Sequence, residues 1–250
     1  MTKSQINKLG EKLRTAFELD AEMLSRLQQF RASYDEPMSR AQTLLRQVGL
    51  EATSRLKTIN TIIEKLRREK TRLAEMQDIG GLRIVSEVDL TKQDAIVSSI
   101  VDAFPAARVI DRRRSPSHGY RAIHVIATLD ERPVEIQVRT QLQDLWAQAM
   151  ERLADEAGRG IRYGGAPETR GEDVESLLNI SQDIAQTEDM LTELNQMETG
   201  LPQPQRAPGY QRELRLHLAK LQSLRARLRG REGTIRAMLA EMIARGGASK

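Results

Sequence analysis

Three groups of residues in this chain have types and spacings suited to phosphate chemistry. The first is the run Val134-Glu135-Ile136-Gln137-Val138-Arg139. Side chains on a strand alternate between its two faces, so Glu135, Gln137 and Arg139 share one face, opposite Val134, Ile136 and Val138. A carboxylate, an amide and a guanidinium in a row make either a solvated outer face or a reacting surface. The second is Asp78, placed just before Gly80-Gly81. The two glycines permit a ligand or a backbone to approach closely. If the strand they open lies beside that of Glu135, the two carboxylates could share a Mg²⁺, an ion that takes one or two protein carboxylates plus phosphate oxygens and waters. The plainer alternative is that Asp78 caps a turn. The third is Arg112-Arg113-Arg114-Ser-Pro-Ser-His118-Gly119-Tyr120-Arg121. It reads as a flexible cationic loop whose guanidinium forks suit phosphate oxygens, followed by an aromatic ring on which a base could stack. Arginine runs are also commonly just solvated.

The elements that must position these residues follow from periodicity. Residues 3–47 read as helices broken near Asp20 or near Pro37, with Leu9, Leu13 and Phe17 on one face and Leu24, Leu27 and Phe30 on another. A long helix is expected from Glu51 to about Glu75, striped by Ile59, Ile62, Ile63 and Leu66. Gly81–Val85 reads as a strand, and Thr91–Phe104 as an amphipathic helix capped by Thr91 with Ile96, Ile100 and Val101 inside. Arg108–Ile110 is a short strand. Residues 120–139 form a hairpin about the turn Asp130-Glu131-Arg132-Pro133, and Gln141 to about Ala157 is a helix. The glycine-rich 158–171 is a loop, either solvated or phosphate-binding. Helices follow at 172–198 and 209–245, split by the Gly- and Pro-rich 200–209. In the second, Leu214, Leu221, Leu228, Ile235 and Met242 recur every seven residues, with Leu218 and Leu239 beside them. This is a coiled-coil or hairpin seam interrupted by Arg225 and Glu232. The expected fold class is therefore α+β: a mixed sheet of four to five strands flanked by N-terminal helices (1–50) and a C-terminal helical hairpin (170–250), around a core segment at 51–165.

Composition removes several function classes. The chain has 250 residues and no cysteine, which excludes disulfides, thiolate nucleophiles and zinc–cysteine sites. With three histidines, any metal is expected to be a hard cation on carboxylates. No apolar run approaches a membrane span and the N-terminus lacks a signal-peptide core, so the expected location is cytoplasmic. The net charge of +4 averages strong local contrasts. Residues 170–200 hold eight acids against one arginine, and residues 206–250 hold eleven basic residues against three acids. An antiparallel pairing of these two helices is the simplest account of that split.

Four stretches in order match a known family. Asp78-Ile-Gly-Gly-Leu-Arg83-Ile-Val, Gly119-Tyr120-Arg121-Ala-Ile-His124, Val134-Glu135-Ile-Gln137-Val-Arg139-Thr140 and Leu145-Trp146-Ala147 together resemble the RelA/SpoT synthetase domain. Upstream, Ser54-Arg55-Leu-Lys57-Thr58 and Ile62-Ile63-Glu64-Lys65 resemble that family's G-R-x-K and S-I-x-x-K pattern, with Ser54 and Thr61 as departures. The resemblance covers about residues 50–165. It implies a nucleotidyltransferase-like core that transfers the β,γ-pyrophosphate of ATP to the 3′-hydroxyl of GDP or GTP, making (p)ppGpp. It implies that Asp78 and Glu135 hold Mg²⁺, with Glu135 also accepting the hydroxyl proton. Arg55, Lys57 and Lys65 would hold the ATP phosphates, and Arg83 would stack on the adenine opposite one of Arg112, Arg113 or Arg114. Tyr120 would stack on the acceptor guanine, with His124, Gln137 and Arg139 in the acceptor pocket and Asp144 reading the guanine edge. Where the family commonly has Lys-x-Asn-Gly-Tyr, this chain has Ser117-His118-Gly119-Tyr120, with its positive charge displaced to Arg112–Arg114. This points to a short, divergent branch. No metal-spaced His-Asp pair is present, so synthesis without hydrolysis is expected.

Two other readings keep part of this picture. A toxic relative would pyrophosphorylate the tRNA 3′ end or make adenosine alarmones, its basic C-terminal helix meeting RNA phosphates and an antitoxin as partner. A degenerate fold would be a helical interaction module without catalysis. In the first reading the terminal helices build a homo-oligomer.

Overall fold

The computed structural model describes residues 1–199 and 208–245, and side chains within the last helix from Leu214 onward. Its packing divides the chain into two compact units, the first being Met1–Val85, Ala95–Asp111 and Ile123–Val138, the second Ser86–Asp94, Arg112–Ala122 and the chain from Arg139.

The first unit is built on a mixed α+β sheet of five strands, β1 (Thr53–Leu56), β2 (Gly80–Ser86), β3 (Arg108–Asp111), β4 (Ile123–Leu129) and β5 (Arg132–Thr140), in the order β1-β2-β5-β4-β3. The hairpin between β4 and β5 turns on Asp130 and Glu131, both left-handed (φ 49° and 62°). Such a two-residue turn matches the twist of the strands it joins, and Pro133 therefore lies in β5, opposite Thr128. Alternation along β5 works as its sequence implies: Val134, Ile136 and Val138 are fully buried. They join Leu82, Ile84 and Val125 and the apolar faces of α1 (Lys3–Thr15), α2 (Ala21–Ala32) and α3 (Asp35–Gln47) in one core.

The helices break in both places: before α2, where the Asp20 carboxylate accepts from Met23 N at 2.7 Å, and at Ser33–Tyr34, just before Pro37, which sits in the first turn of α3, where a missing N–H leaves no bond unmade. The long helix expected over 51–75 is not there. Thr53–Leu56 pairs with β2 instead, Arg55 opposite Gly81, and α4 (Ile59–Glu69) starts at Thr58, whose hydroxyl accepts from Thr61 N. Thr53–Leu56 thus forms the edge strand of the sheet, a pairing with residues beyond α4 that local periodicity cannot show. α4 ends at Lys70, which adopts the left-handed conformation.

The next helix, α5 (Leu90–Ala103), has no Thr91 cap. Asp89 accepts from Lys92 N at 2.9 Å, and Thr91 is already helical. Leu90, Gln93, Val97 and Ile100 are its buried residues, with Ile96 and Val101 partly buried and Phe104 buried just past its end. Strand β4 begins at Ile123 rather than Tyr120.

The second unit packs α6 (Gln141–Ala157), α7 (Gly171–Thr199) and α8 (Pro208–Arg245) around Leu142, Trp146, Met150, Ile184, Ile235 and Leu239. The heptad residues Leu221, Leu228 and Ile235 are buried, Leu194 of α7 joining the first two. The charge split is settled by pairing: Arg231 meets Asp183 at 2.7 Å and Arg225 meets Glu198. Leu218 is exposed. The sequence breaker at 200–209 falls mainly outside the described residues.

Candidate active site

In the first unit the polar face of the sheet gathers most of the phosphate-type candidates. Cross-strand neighbours point to the same face. Arg55 lies opposite Gly81 and Thr53 opposite Arg83; across the sheet His124 lies opposite Gln137 and Ile126 opposite Glu135. Strands β2 and β5 are neighbours, so Arg55, Arg83, Glu135, Gln137 and His124 occupy one surface. Arg55 is exposed and Arg83 half-buried.

Glu135 is 9% exposed and fully engaged. His124 Nδ1 lies 2.7 Å from Oε1, and Gln137 Nε2 donates to Oε2 at 2.8 Å. Burial pushes the carboxyl up, but the bond and charge of His124 and the bond from Gln137 outweigh it, and the net pKa is below the usual carboxylate range. A solvated outer face is thereby excluded for Glu135. The residue is a buried, ionised carboxylate with a fixed orientation.

Asp78, in the turn before β2, receives Lys57 Nζ and Lys65 Nζ on Oδ2, each at 2.9 Å. Burial raises its pKa, and the two ammoniums more than reverse that, holding it low. Burial likewise opposes the charge on Lys65, yet Asp78 restores it and carries its pKa above the ordinary value. Oδ1 of Asp78 is buried and has no hydrogen-bond partner. A buried anionic oxygen without a donor is costly, and this one is suited to a hard cation. Asp78 therefore does more than cap a turn. Of the two glycines, Gly80 serves packing, since a Cβ there would meet Tyr34 at 2.8 Å and Met38 at 2.9 Å, whereas Gly81 admits neighbouring backbone, a Cβ there standing 3.5 Å from Arg55 O and 3.8 Å from Glu135 O.

The second unit holds a different cluster. Arg139, 4% exposed, donates through Nη1 to Asp144 Oδ1 at 2.8 Å and through Nη2 to Tyr120 Oη at 3.0 Å. Its guanidinium carbon also lies 5.1 Å from the Tyr120 ring centroid. Burial works against the guanidinium charge, but Tyr120 and Asp144 restore it and raise its pKa. Gln148 Nε2 donates to the other Asp144 oxygen at 2.7 Å. The arginine loop is less free than its sequence suggests. Arg113 donates to Asp94 at 2.6 Å, Arg114 to Asp189 at 2.7 Å, and Arg121 to Ser181, while Arg112 is exposed. Tyr120 follows Gly119, whose left-handed φ of 84° and contact with Trp146, 2.7 Å from where a Cβ would stand, admit only glycine. In the glycine-rich 158–171, Arg162 pairs with Glu151 at 3.6 Å and Arg159 with Asp155 at 3.9 Å, within the same unit.

Residues 54–154 match the family model described as the region found in RelA / SpoT proteins. That stretch is what this chain has in common with the family. An uncharacterized protein of Mycobacterium tuberculosis is 42% identical over 144 residues, covering 54% of this chain and 53% of that protein. GTP pyrophosphokinase YjbM of Bacillus subtilis is 33% identical over 110 residues, 38% of this chain and 51% of that one. The chain thus spans about half the length of the curated relatives it matches. Among solved structures, small alarmone synthetase 1 from Bacillus subtilis superposes with a TM-score of 0.54 at 23% identity, over 70% of this chain and 99% of that one. Its complex with the product pppGpp gives 0.55 at 20% identity. These superpositions establish the fold.

The four motifs by which the sequence resembles this family all lie within the matched stretch 54–154. Motif reading passed over the polar network around the start of α6. There Thr140 and Gln143 form a reciprocal capping box, Gln93 Nε2 donates to Gln143 Oε1 at 3.0 Å, and Glu188 of α7 accepts from both cap side chains. The T-x-x-Q spacing of the box was visible in the sequence. The contribution of Glu188, 45 residues further on, was not.

Proposed function

We propose that the chain is a RelA/SpoT-type pyrophosphotransferase that moves the β,γ-pyrophosphate of ATP onto the ribose 3′-hydroxyl of GDP or GTP. The observation that carries this is the pair of carboxylates in the first unit, Asp78, half-buried and gripped by two lysines with a buried oxygen left over, and Glu135, buried and oriented by His124 and Gln137. Pyrophosphoryl transfer requires charge neutralisation, positioning and a proton acceptor. Lys57 and Lys65 each keep N–H groups beyond those given to Asp78 and would meet donor phosphates, with Arg55 and Arg83 on the same sheet face. Asp78 and Glu135 would hold Mg²⁺. Bound there, the ion would neutralise charge developing on the donor phosphates. Glu135, fixed by two bonds and ionised, would accept the 3′-hydroxyl proton.

The acceptor base is assigned to the second unit. Tyr120 would stack on the guanine, and Asp144 would read its N1–H and exocyclic amine. Small alarmone synthetase 1 from Bacillus subtilis, similar in fold, has been solved bound to its product pppGpp and, in another structure, to AMPCPP, which supports looking for one guanine and one adenine nucleotide here. RNA as acceptor is disfavoured by the pairing of α8 arginines with α7 acids.

The test is an acceptor assay. Purified protein, Mg²⁺ and γ-labelled ATP are incubated separately with GDP, GTP, ATP and bulk tRNA. Label on GDP or GTP supports the proposal. Label on tRNA or an adenine nucleotide replaces its acceptor. ATP binding without transfer to any of the four would reject catalysis in favour of an interaction module.

A further inference from the structure

Helix α7 lies outside the matched stretch 54–154, yet it is tied to the segments that carry Tyr120 and Asp144. Arg121 Nε donates to Ser181 O at 3.1 Å and to its Oγ at 3.0 Å, and Ser181 Oγ–H reaches Gly119 O at 2.5 Å. Trp146 Nε1 donates to Leu177 O at 2.6 Å. Asp189 takes Arg114. Between these ties sits Glu188, 6% exposed, its carboxylate accepting from Thr140 Oγ–H and from Gln143 Nε2 at 3.0 Å.

A buried carboxylate is expensive, so a residue retained there must do what an apolar one cannot. Here two donors face one side chain. Thr140 is the cap of α6, and Gln143 is bonded to Thr140 N at 3.2 Å and to Gln93. Thr140 directly follows Arg139, and Asp144 directly follows Gln143. The Arg139–Asp144 and Arg139–Tyr120 bonds therefore span the turn that Glu188 grips. A carboxylate offers two acceptors. A glutamine offers one acceptor and one donor, and leaves either Thr140 or Gln143 facing a donor.

We infer that Glu188 is a positioning residue of the acceptor site: by holding the α6 capping box from α7, it sets the Asp144–Arg139–Tyr120 arrangement that receives the acceptor base. The inference rests on the acceptor assignment proposed above. It also makes α7 a working part of nucleotide recognition, beyond any role in association.

Full-length protein carrying Glu188→Gln is compared with wild type in three measurements: titration calorimetry with GDP, calorimetry with a non-hydrolysable ATP analogue, and acrylamide quenching of Trp146, the chain's single tryptophan. The expected result is GDP binding weakened about tenfold, ATP-analogue binding within about twofold, and faster quenching of Trp146. Unchanged GDP binding overturns the inference. So does an equal loss of both nucleotides, the mark of a merely structural group. Should Glu188→Gln fail to fold, Thr140→Val removes one of the two donors while leaving Glu188 in place, and the same pattern is expected. A wild-type protein that binds no guanine nucleotide sinks the acceptor assignment. Quenching then decides the grip alone: a change in the variant upholds it, and no change ends it.

Discussion

Buried carboxylates serve opposite ends in the two units. In the first, two lysines grip one oxygen of Asp78, His124 and Gln137 hold the two oxygens of Glu135, and both carboxyls are held below the ordinary range. In the second, Asp144 accepts from Arg139 on one oxygen and from Gln148 on the other, and Glu188 is pushed upward by burial despite its bonds to Thr140 and Gln143. Burial alone thus says little about what a carboxylate is for. The neighbours decide whether it is held ionised, as Asp78 and Glu135 are, or raised in pKa while it ties two helices together, as Glu188 is.

Breaking the first arrangement should have the largest effect. Glu135→Gln keeps shape and removes the proton acceptor. Transfer should fall by at least ~10²–10⁴-fold while calorimetry shows ATP binding nearly unchanged. Retained turnover would remove Glu135 from the chemistry. Arg139→Met attacks the second arrangement by leaving Asp144 buried and uncompensated. Loss of one partner of a buried pair costs about 3–5 kcal/mol, so urea unfolding should show a large drop in stability, whereas a drop below about 1 kcal/mol would mean that water replaces the guanidinium.

Smaller effects sharpen the division of labour. Lys65→Met should weaken ATP binding by about 1.5–3 kcal/mol and leave GDP binding alone. Tyr120→Ala should do the reverse, costing about 1–3 kcal/mol of guanine-nucleotide affinity through lost stacking. Equal losses on both nucleotides from either variant would dissolve the distinction between donor and acceptor halves. The smallest effect is a pH trend. Glu188 has a folded pKa above its unfolded one, so wild-type stability should decline as pH rises from the ordinary glutamate pKa toward the raised one. Glu188→Gln lacks this titration. Its deficit relative to wild type should shrink as pH rises above the ordinary glutamate pKa of about 4.3, as followed by thermal unfolding at each pH.

Much of this was legible in the sequence, for reasons that can be stated. The alternation Val-Glu-Ile-Gln-Val-Arg fixed both the face of β5 and its buried side, because a strand with one apolar face has a single workable register. The α7–α8 pairing was readable from charge and from the seven-residue leucine spacing. Arg55 and Lys57 were placed on a helix because local periodicity cannot foresee that a sheet edge will claim four residues. The freedom of Arg113 and Arg114 was overread for a related reason: Asp94 and Asp189, their partners, are distant in sequence, and charge counts over neighbouring residues do not see them. Glu188 escaped notice as one acid among eight in its stretch.

The two lysines on Asp78 have a consequence beyond electrostatics. A free lysine side chain surrenders up to ~2 kcal/mol of rotamer entropy when it is immobilised. Lys57 and Lys65 have made that sacrifice on folding, each tethered at 2.9 Å to the same oxygen and each less than a quarter exposed. A polyphosphate arriving there would find cations that are already stationary and would lose little of its binding energy to ordering them.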